Sequence, residues 1–140
     1  MKKYFVLLSL MAFVLTSCEG PMGPPGEPGG GMETYYFTVT PRDWKLLGGT
    51  QDVSFYQCIK DLDIGSYIYE NGTVSAYMYQ MEDQTEVQTP LPYIIPHTDG
   101  SVRWNEQYTF DFEQGTVSFY VDYIKGETPP AKEFRVVLTW

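Results

Sequence analysis

Apolar and polar residues alternate with a period of two through most of the chain beyond Met32, the pattern of strands with one dry and one wet face. Tyr35, Phe37 and Val39 alternate with threonines and a tyrosine, and Val74, Ala76 and Met78 alternate with Ser75, Tyr77 and Tyr79. From Val102 to Phe112 the even positions are Val102, Trp104, Glu106, Tyr108, Phe110 and Phe112, while every odd position is polar. Val117, Phe119, Val121 and Tyr123 form another such run, and Phe134, Val136, Leu138 and Trp140 the last. Val53 to Ile59 reads as a further strand carrying Cys58. Neither a helical period of useful length nor an internal repeat is present.

Turn chemistry separates these runs. Asn71-Gly72 and Asp99-Gly100 are strong two-residue turn signals, and Gln114-Gly115 is a weaker one. Asn71-Gly72 has a second reading, as the left-handed glycine cap of a short helix beginning near Ser66. Pro90, Pro92, Pro96, Pro129 and Pro130 mark edges or loops, because proline cannot donate to a ladder. The pattern predicts an all-β fold over residues 32–140: an antiparallel β-sandwich, Ig-like or jelly-roll-like, of roughly seven to nine strands.

The first residues differ sharply. Met1-Lys2-Lys3 is basic and Tyr4 to Leu15 is apolar. As a helix that run rises about 18 Å, against roughly 30 Å for a bilayer core, so it reads as an export signal over residues 1–17 rather than a membrane span. Leu15-Thr16-Ser17-Cys18 resembles the lipobox of bacterial lipoproteins, which implies cleavage between Ser17 and Cys18. Small side chains admit the peptidase, and the Cys18 thiol takes a thioether-linked diacylglycerol. The alternative is an ordinary secretory signal that contains a cysteine. Acylated Cys18 makes membrane lipid the first partner, and two or three acyl chains hold a protein firmly where one does not. Glu19, rather than aspartate, follows the cysteine and leans the anchor toward the outer membrane.

Residues 18–31 join this anchor to the domain. Gly20, Gly23, Gly26 and Gly29 keep strict register in collagen-like triplets. A proline-rich chain adopts extended polyproline II, so the segment predicts a stand-off of roughly 40 Å. A monomer on a tether is expected, with a trimer through the Gly-x-y segment as the alternative.

The net charge of −9 becomes two units more negative when Lys2 and Lys3 leave with the leader. So acidic a chain has no footprint for nucleic acid. Two cysteines, one of them the lipidation candidate, make no disulfide framework.

Catalytic and metal-binding residues are sparse. His97 is the only histidine and falls in the Ile95-Pro96-His97-Thr98-Asp99 stretch, read as a loop; no Gly-x-Ser-x-Gly motif accompanies it. One histidine and one free cysteine make no zinc site, and neither cofactor nor metal is expected. Cys58 reads as a small buried apolar group. Asp61, Asp63, Glu82, Asp83, Glu86, Asp111 and Glu113 read as solvated charge, and the Asp61-to-Ser66 stretch lacks the ligands of a calcium loop. The chain is not expected to be an enzyme; that would need a deep pocket holding His97 or two close carboxylates.

Twelve tyrosines and three tryptophans exceed what one sandwich core needs. Tyr36, Tyr77, Tyr79 and Tyr120 occupy the polar phase of their strands and are predicted to point away from the core. Exposed rings stack on sugars or anchor a protein partner; the plainer account is cross-strand pairing that stabilises a wet sheet face. Three or more rings on one concave face, with carboxylates or amides between them, would favour a glycan. Scattered or paired rings would oppose it.

The order of "ENGTVSAYM", "LPYIIP", "YTFDFEQGTVSFYV" and "FRVVLTW", behind a collagen-like segment and a lipidated cysteine, resembles small lipoproteins of Bacteroidetes with a C-terminal β-sandwich. The resemblance implies a Gram-negative envelope and carries no biochemical role. The expectation is a lipid-anchored envelope protein presenting a non-catalytic structural or interaction module, with glycan binding or adhesion through the exposed tyrosines as the alternative.

Overall fold

The computed structural model describes residues 30–140 except Ser101. The leader, Ser17, Cys18 and the glycines Gly20, Gly23, Gly26 and Gly29 lie outside the described residues. The elements run β1 (Met32–Val39), β2 (Lys45–Gly49), β3 (Val53–Asp61), α1 (Ser66–Asn71), β4 (Thr73–Glu82), β5 (Thr85–Pro90), β6 (Tyr93–Asp99), β7 (Val102–Glu113), β8 (Thr116–Ile124) and β9 (Lys132–Thr139). They form two antiparallel sheets, one ordered β1-β9-β4-β5 and the other β2-β3-β8-β7-β6. The expected all-β sandwich is what the chain forms.

The apolar phases of the strands meet between the sheets. Phe119 of β8 stacks on Phe134 of β9 with ring centres 4.1 Å apart, and Phe37 of β1 meets Phe119 edge-on at 6.0 Å. Tyr108, Met78, Val117, Val121, Val136 and Leu138 are fully buried around them. Trp44, between β1 and β2, closes one end of the core against Phe134. Burying each such ring is worth about 1.5–3 kcal/mol, enough to hold together two sheets that share no ladder.

The four-stranded sheet has two unlike ends. At one end, Met32 pairs with Thr139 and Thr139 with Thr73. Here the chain enters from the glycine-rich segment, and the backbone N–H of Trp140 donates to the Gly31 carbonyl at 3.0 Å. At the other end β4 and β9 part. Their pairing stops at Met78–Phe134, although β1–β9 continues to Val39–Lys132 and β4–β5 to Glu82–Thr85. The inward phase explains it: beyond Met78 and Phe134 the next inward residues are Gln80 and Lys132, which give the strands no apolar reason to stay closed.

Three local expectations change. Asn71-Gly72 is not a hairpin, and Gly72 is not left-handed: it follows α1 with φ −88° in extended backbone. Glycine is required there by space, since a Cβ would lie 2.7 Å from the Ile68 carbonyl oxygen and 2.8 Å from that of Thr139. His97 is not in a loop but in the edge strand β6, paired with Trp104. Pro96 is accommodated because an edge strand has one side with no ladder to feed. Gln114-Gly115 turns the β7–β8 hairpin with Gly115 at positive φ, as its sequence predicts; at the β6–β7 hairpin Asp99 is still in the ladder, paired with Val102, and the turn begins one residue later than expected, at Gly100 with positive φ.

Candidate ligand-binding face

On the outer side of the four-stranded sheet, register fixes a row of side chains. Tyr36 of β1 pairs with Arg135 of β9, Arg135 pairs with Tyr77 of β4, and Tyr77 pairs with Pro90 of β5. Paired residues share a face, so this row crosses all four strands. Tyr79 is two residues along β4 and therefore on the same face, opposite Gln88 of β5. Glu133 and Thr38 form the next pair toward the parted end. Tyr36 is 68% exposed.

Arg135 is the centre of the row. Its guanidinium carbon lies 4.7 Å from the Tyr77 ring centre, a cation–π contact. Its Nε is buried without a hydrogen-bond partner, and among the described residues no carboxylate forms an ion pair with it. A flat cation fixed by an aromatic ring, with its buried Nε left unpartnered among the described residues, is the polar centre of this surface.

Where β4 and β9 part, the sheet opens into a cleft of about 440 Å³ lined by Thr38, Tyr79, Gln80, Met81, Glu86 and Ala131–Glu133. Lys132 points inward, its ammonium 5.4 Å from the Tyr108 ring centre. The cleft thus joins an aromatic ring and a thioether with a hydroxyl, an amide, two carboxylates and an ammonium. Such a lining offers stacking surface together with donors and acceptors for hydroxyl groups.

Tyr120 does not join the other three tyrosines. It lies on the outer face of the five-stranded sheet, half-buried, where its hydroxyl accepts from Gln57 Nε2 at 3.0 Å and donates to Asp111 at 2.9 Å. Burial first, and then the bond to Asp111, raises its pKa above the ordinary tyrosine value. That is the cross-strand role of a tyrosine on a wet sheet face.

His97 is bound into a different cluster. Its Nε2 lies 2.9 Å from Glu106 Oε2, and its ring stacks on Trp104 at 4.1 Å. Tyr108 donates its hydroxyl to the other oxygen of Glu106, and burial, reinforced by that bond, pushes the Tyr108 hydroxyl far above its usual range. A cavity of about 350 Å³ borders His97, Trp104, Arg103 and Asn105. Glu106 could have been picked out in the sequence, because it is the acidic residue in the apolar phase of its strand. Cys58 faces the core, and burial raises its thiol pKa, which leaves it a poor nucleophile. Asp61, Asp63, Glu82, Asp83, Glu86, Asp111 and Glu113 are all exposed. Among the described residues no three histidine, cysteine or acidic side chains are grouped to hold a metal ion, and no helix is long and apolar enough to cross a membrane.

No protein-family model, curated protein or solved structure matches the chain. What the domain does rests on the chemistry of these faces.

Proposed function

We propose that the chain is a lipid-anchored protein of a bacterial cell envelope, held at the outer membrane through acylated Cys18, whose β-sandwich binds a glycan and catalyses nothing. The observation that carries this reading is the grouping of Tyr36, Tyr77 and Tyr79 on one sheet face, with Arg135 and Glu133 of β9 between the two tyrosine strands and Gln88 of β5 flanking Tyr79. The rings are separated by polar groups rather than paired with one another, so cross-strand tyrosine pairing does not account for them.

The direction of the domain supports the same reading. The tether enters beside Met32, and the cleft opens at the other end of strands that run about 23 Å. A module standing on the Gly-x-y spacer as a monomer turns its cleft away from the lipid. His97 gives no support to a serine or cysteine hydrolase, since among the described residues neither a serine nor a cysteine lines the cavity beside it.

The test uses cells producing the wild-type chain, Cys18→Ala or Tyr77→Ala, fed a clickable palmitate analogue and then fractionated. The wild type and Tyr77→Ala should label and pellet with membranes, and Cys18→Ala should do neither. Of the two labelled proteins, solubilised and passed over immobilised polysaccharides, only the wild type should be retained. Membrane-bound, labelled Cys18→Ala would overturn the anchor, and equal retention of Tyr77→Ala would overturn the binding face.

A further inference from the structure

Three features of the tyrosine face narrow its ligand. The first is extent. Tyr36 and Tyr77 stand two strands apart, so their Cα atoms are about 10 Å from one another, and Tyr79 is about 7 Å further along β4. These rings cover more than a single pyranose. The second is openness: the row crosses a sheet face over which none of the other described strands passes and runs into a cleft bounded by two parted strands. A site built to hold a chain end encloses it, whereas this surface lets a chain enter on one side and leave on the other.

The third is charge. Arg135 is stacked on Tyr77 and Lys132 lines the cleft with its ammonium turned inward to Tyr108, while three carboxylates outnumber these two cations: Glu133 and Glu86 line the cleft and exposed Glu82 stands at the end of β4. The whole chain carries −9. A polyanion approaching this face meets net repulsion, and like charges brought together across a contact are among the strongest ways of rejecting a partner. The carboxylates, the Gln88 amide and the Arg135 donors suit uncharged hydroxyls, which both donate and accept.

We infer that this face binds the middle of a neutral polysaccharide chain, laid from Tyr36 across Arg135 and Tyr77 into the cleft beside Tyr79. The inference rests on the glycan-binding reading and adds the charge and the mode of binding. The tyrosines stack on the apolar faces of successive sugars, while Arg135, Gln88 and Glu133 bond the hydroxyls between them. Equatorially substituted β-linked chains present such apolar faces most fully.

The test is affinity electrophoresis of the full chain in a non-ionic detergent, through native gels containing mixed-linkage β-glucan, hydroxyethylcellulose or polygalacturonate. The two neutral polymers should retard the wild type and the acidic one should not. Tyr36→Ala, Tyr77→Ala and Arg135→Gln should each weaken retardation about tenfold, while Tyr36→Phe, which keeps the ring, stays close to wild type. Circular dichroism of each variant checks that it is folded, and the Tyr36 pair remains decisive if Arg135→Gln is not. A free monosaccharide in excess should displace the protein poorly, and an oligosaccharide well. Retardation by polygalacturonate in place of the neutral polymers overturns the inference and leaves the glycan-binding reading standing. Retardation by none of the three overturns both.

Discussion

The guanidinium of Arg135 and the ring of Tyr77 face each other across the β9–β4 ladder at 4.7 Å, with Tyr36 on the opposite flank of the arginine. Two residues far apart in sequence thereby make one surface element. Removing the ring with Tyr77→Ala should cost the fold only about 0.5–1 kcal/mol, the worth of a surface cation–π contact. Binding should suffer much more. A thermal melt compared with glycan retention separates the two effects.

Trp140 buckles the tether to the domain. A Cβ on Gly31 would stand 2.4 Å from the Trp140 ring, and one on Gly30 only 1.5 Å from the Trp140 carbonyl oxygen. Gly31→Ala should therefore push the indole off, losing about 1–3 kcal/mol, and Trp140→Ala should free the same segment without a clash. In limited proteolysis both variants should be cut faster near Met32 than the wild type. Unchanged cleavage would mean that the indole does not hold the tether.

The β4–β5 turn carries a different strain. Asp83 and Gln84 both have positive φ, 48° and 67°, in a tight hairpin. Side chains are disfavoured there, and Asn-Gly is the pair that fits a turn of this hand. Replacing Asp83-Gln84 with Asn-Gly should raise stability by about 0.5–1 kcal/mol in urea titrations. A loss would show that the two side chains make contacts outweighing the backbone strain.

Asp122 makes stability depend on pH. It lies between Phe55 and Gln107 in the five-stranded sheet, and burial alone raises its pKa above the ordinary value of 3.8. With a folded pKa above the unfolded one, the native state binds more protons between the two values, so this group lowers stability as pH rises through that window. Asp122→Asn should melt higher than the wild type at neutral pH, and the gap should close as pH falls below about 3.8. A gap that persists in acid would assign the gain to packing instead of charge.

The alternation of residues made most of this sandwich legible. Phe37, Phe119, Phe134 and Tyr108 all stand in the apolar phase, and all lie between the sheets. Strand β2 escaped because Lys45-Leu46-Leu47-Gly48-Gly49 does not alternate; all five residues are exposed and a bulge breaks its register. The β4–β5 hairpin escaped because its turn has no glycine. The tyrosine face was half visible: phase alone points Tyr36, Tyr77, Tyr79 and Tyr120 outward, but strand order decides which of them meet. Placing β9 between β1 and β4 joins the first three through Arg135, and placing β8 in the other sheet sends Tyr120 elsewhere. Arg135 itself carried no local signal, since one arginine in the polar phase of a strand is ordinary until Tyr77 lies beside it.

The most direct measurement is the binding of a fluorescent mixed-linkage β-glucan to purified full chain reconstituted through Cys18 on supported membranes, compared with a Tyr36→Ala, Tyr77→Ala, Tyr79→Ala triple variant anchored at equal density. The wild-type surface should retain the polymer and the triple variant should fall to the level of bare lipid. Equal retention by both surfaces, or by neither, would contradict a glycan-binding role for the tyrosine face.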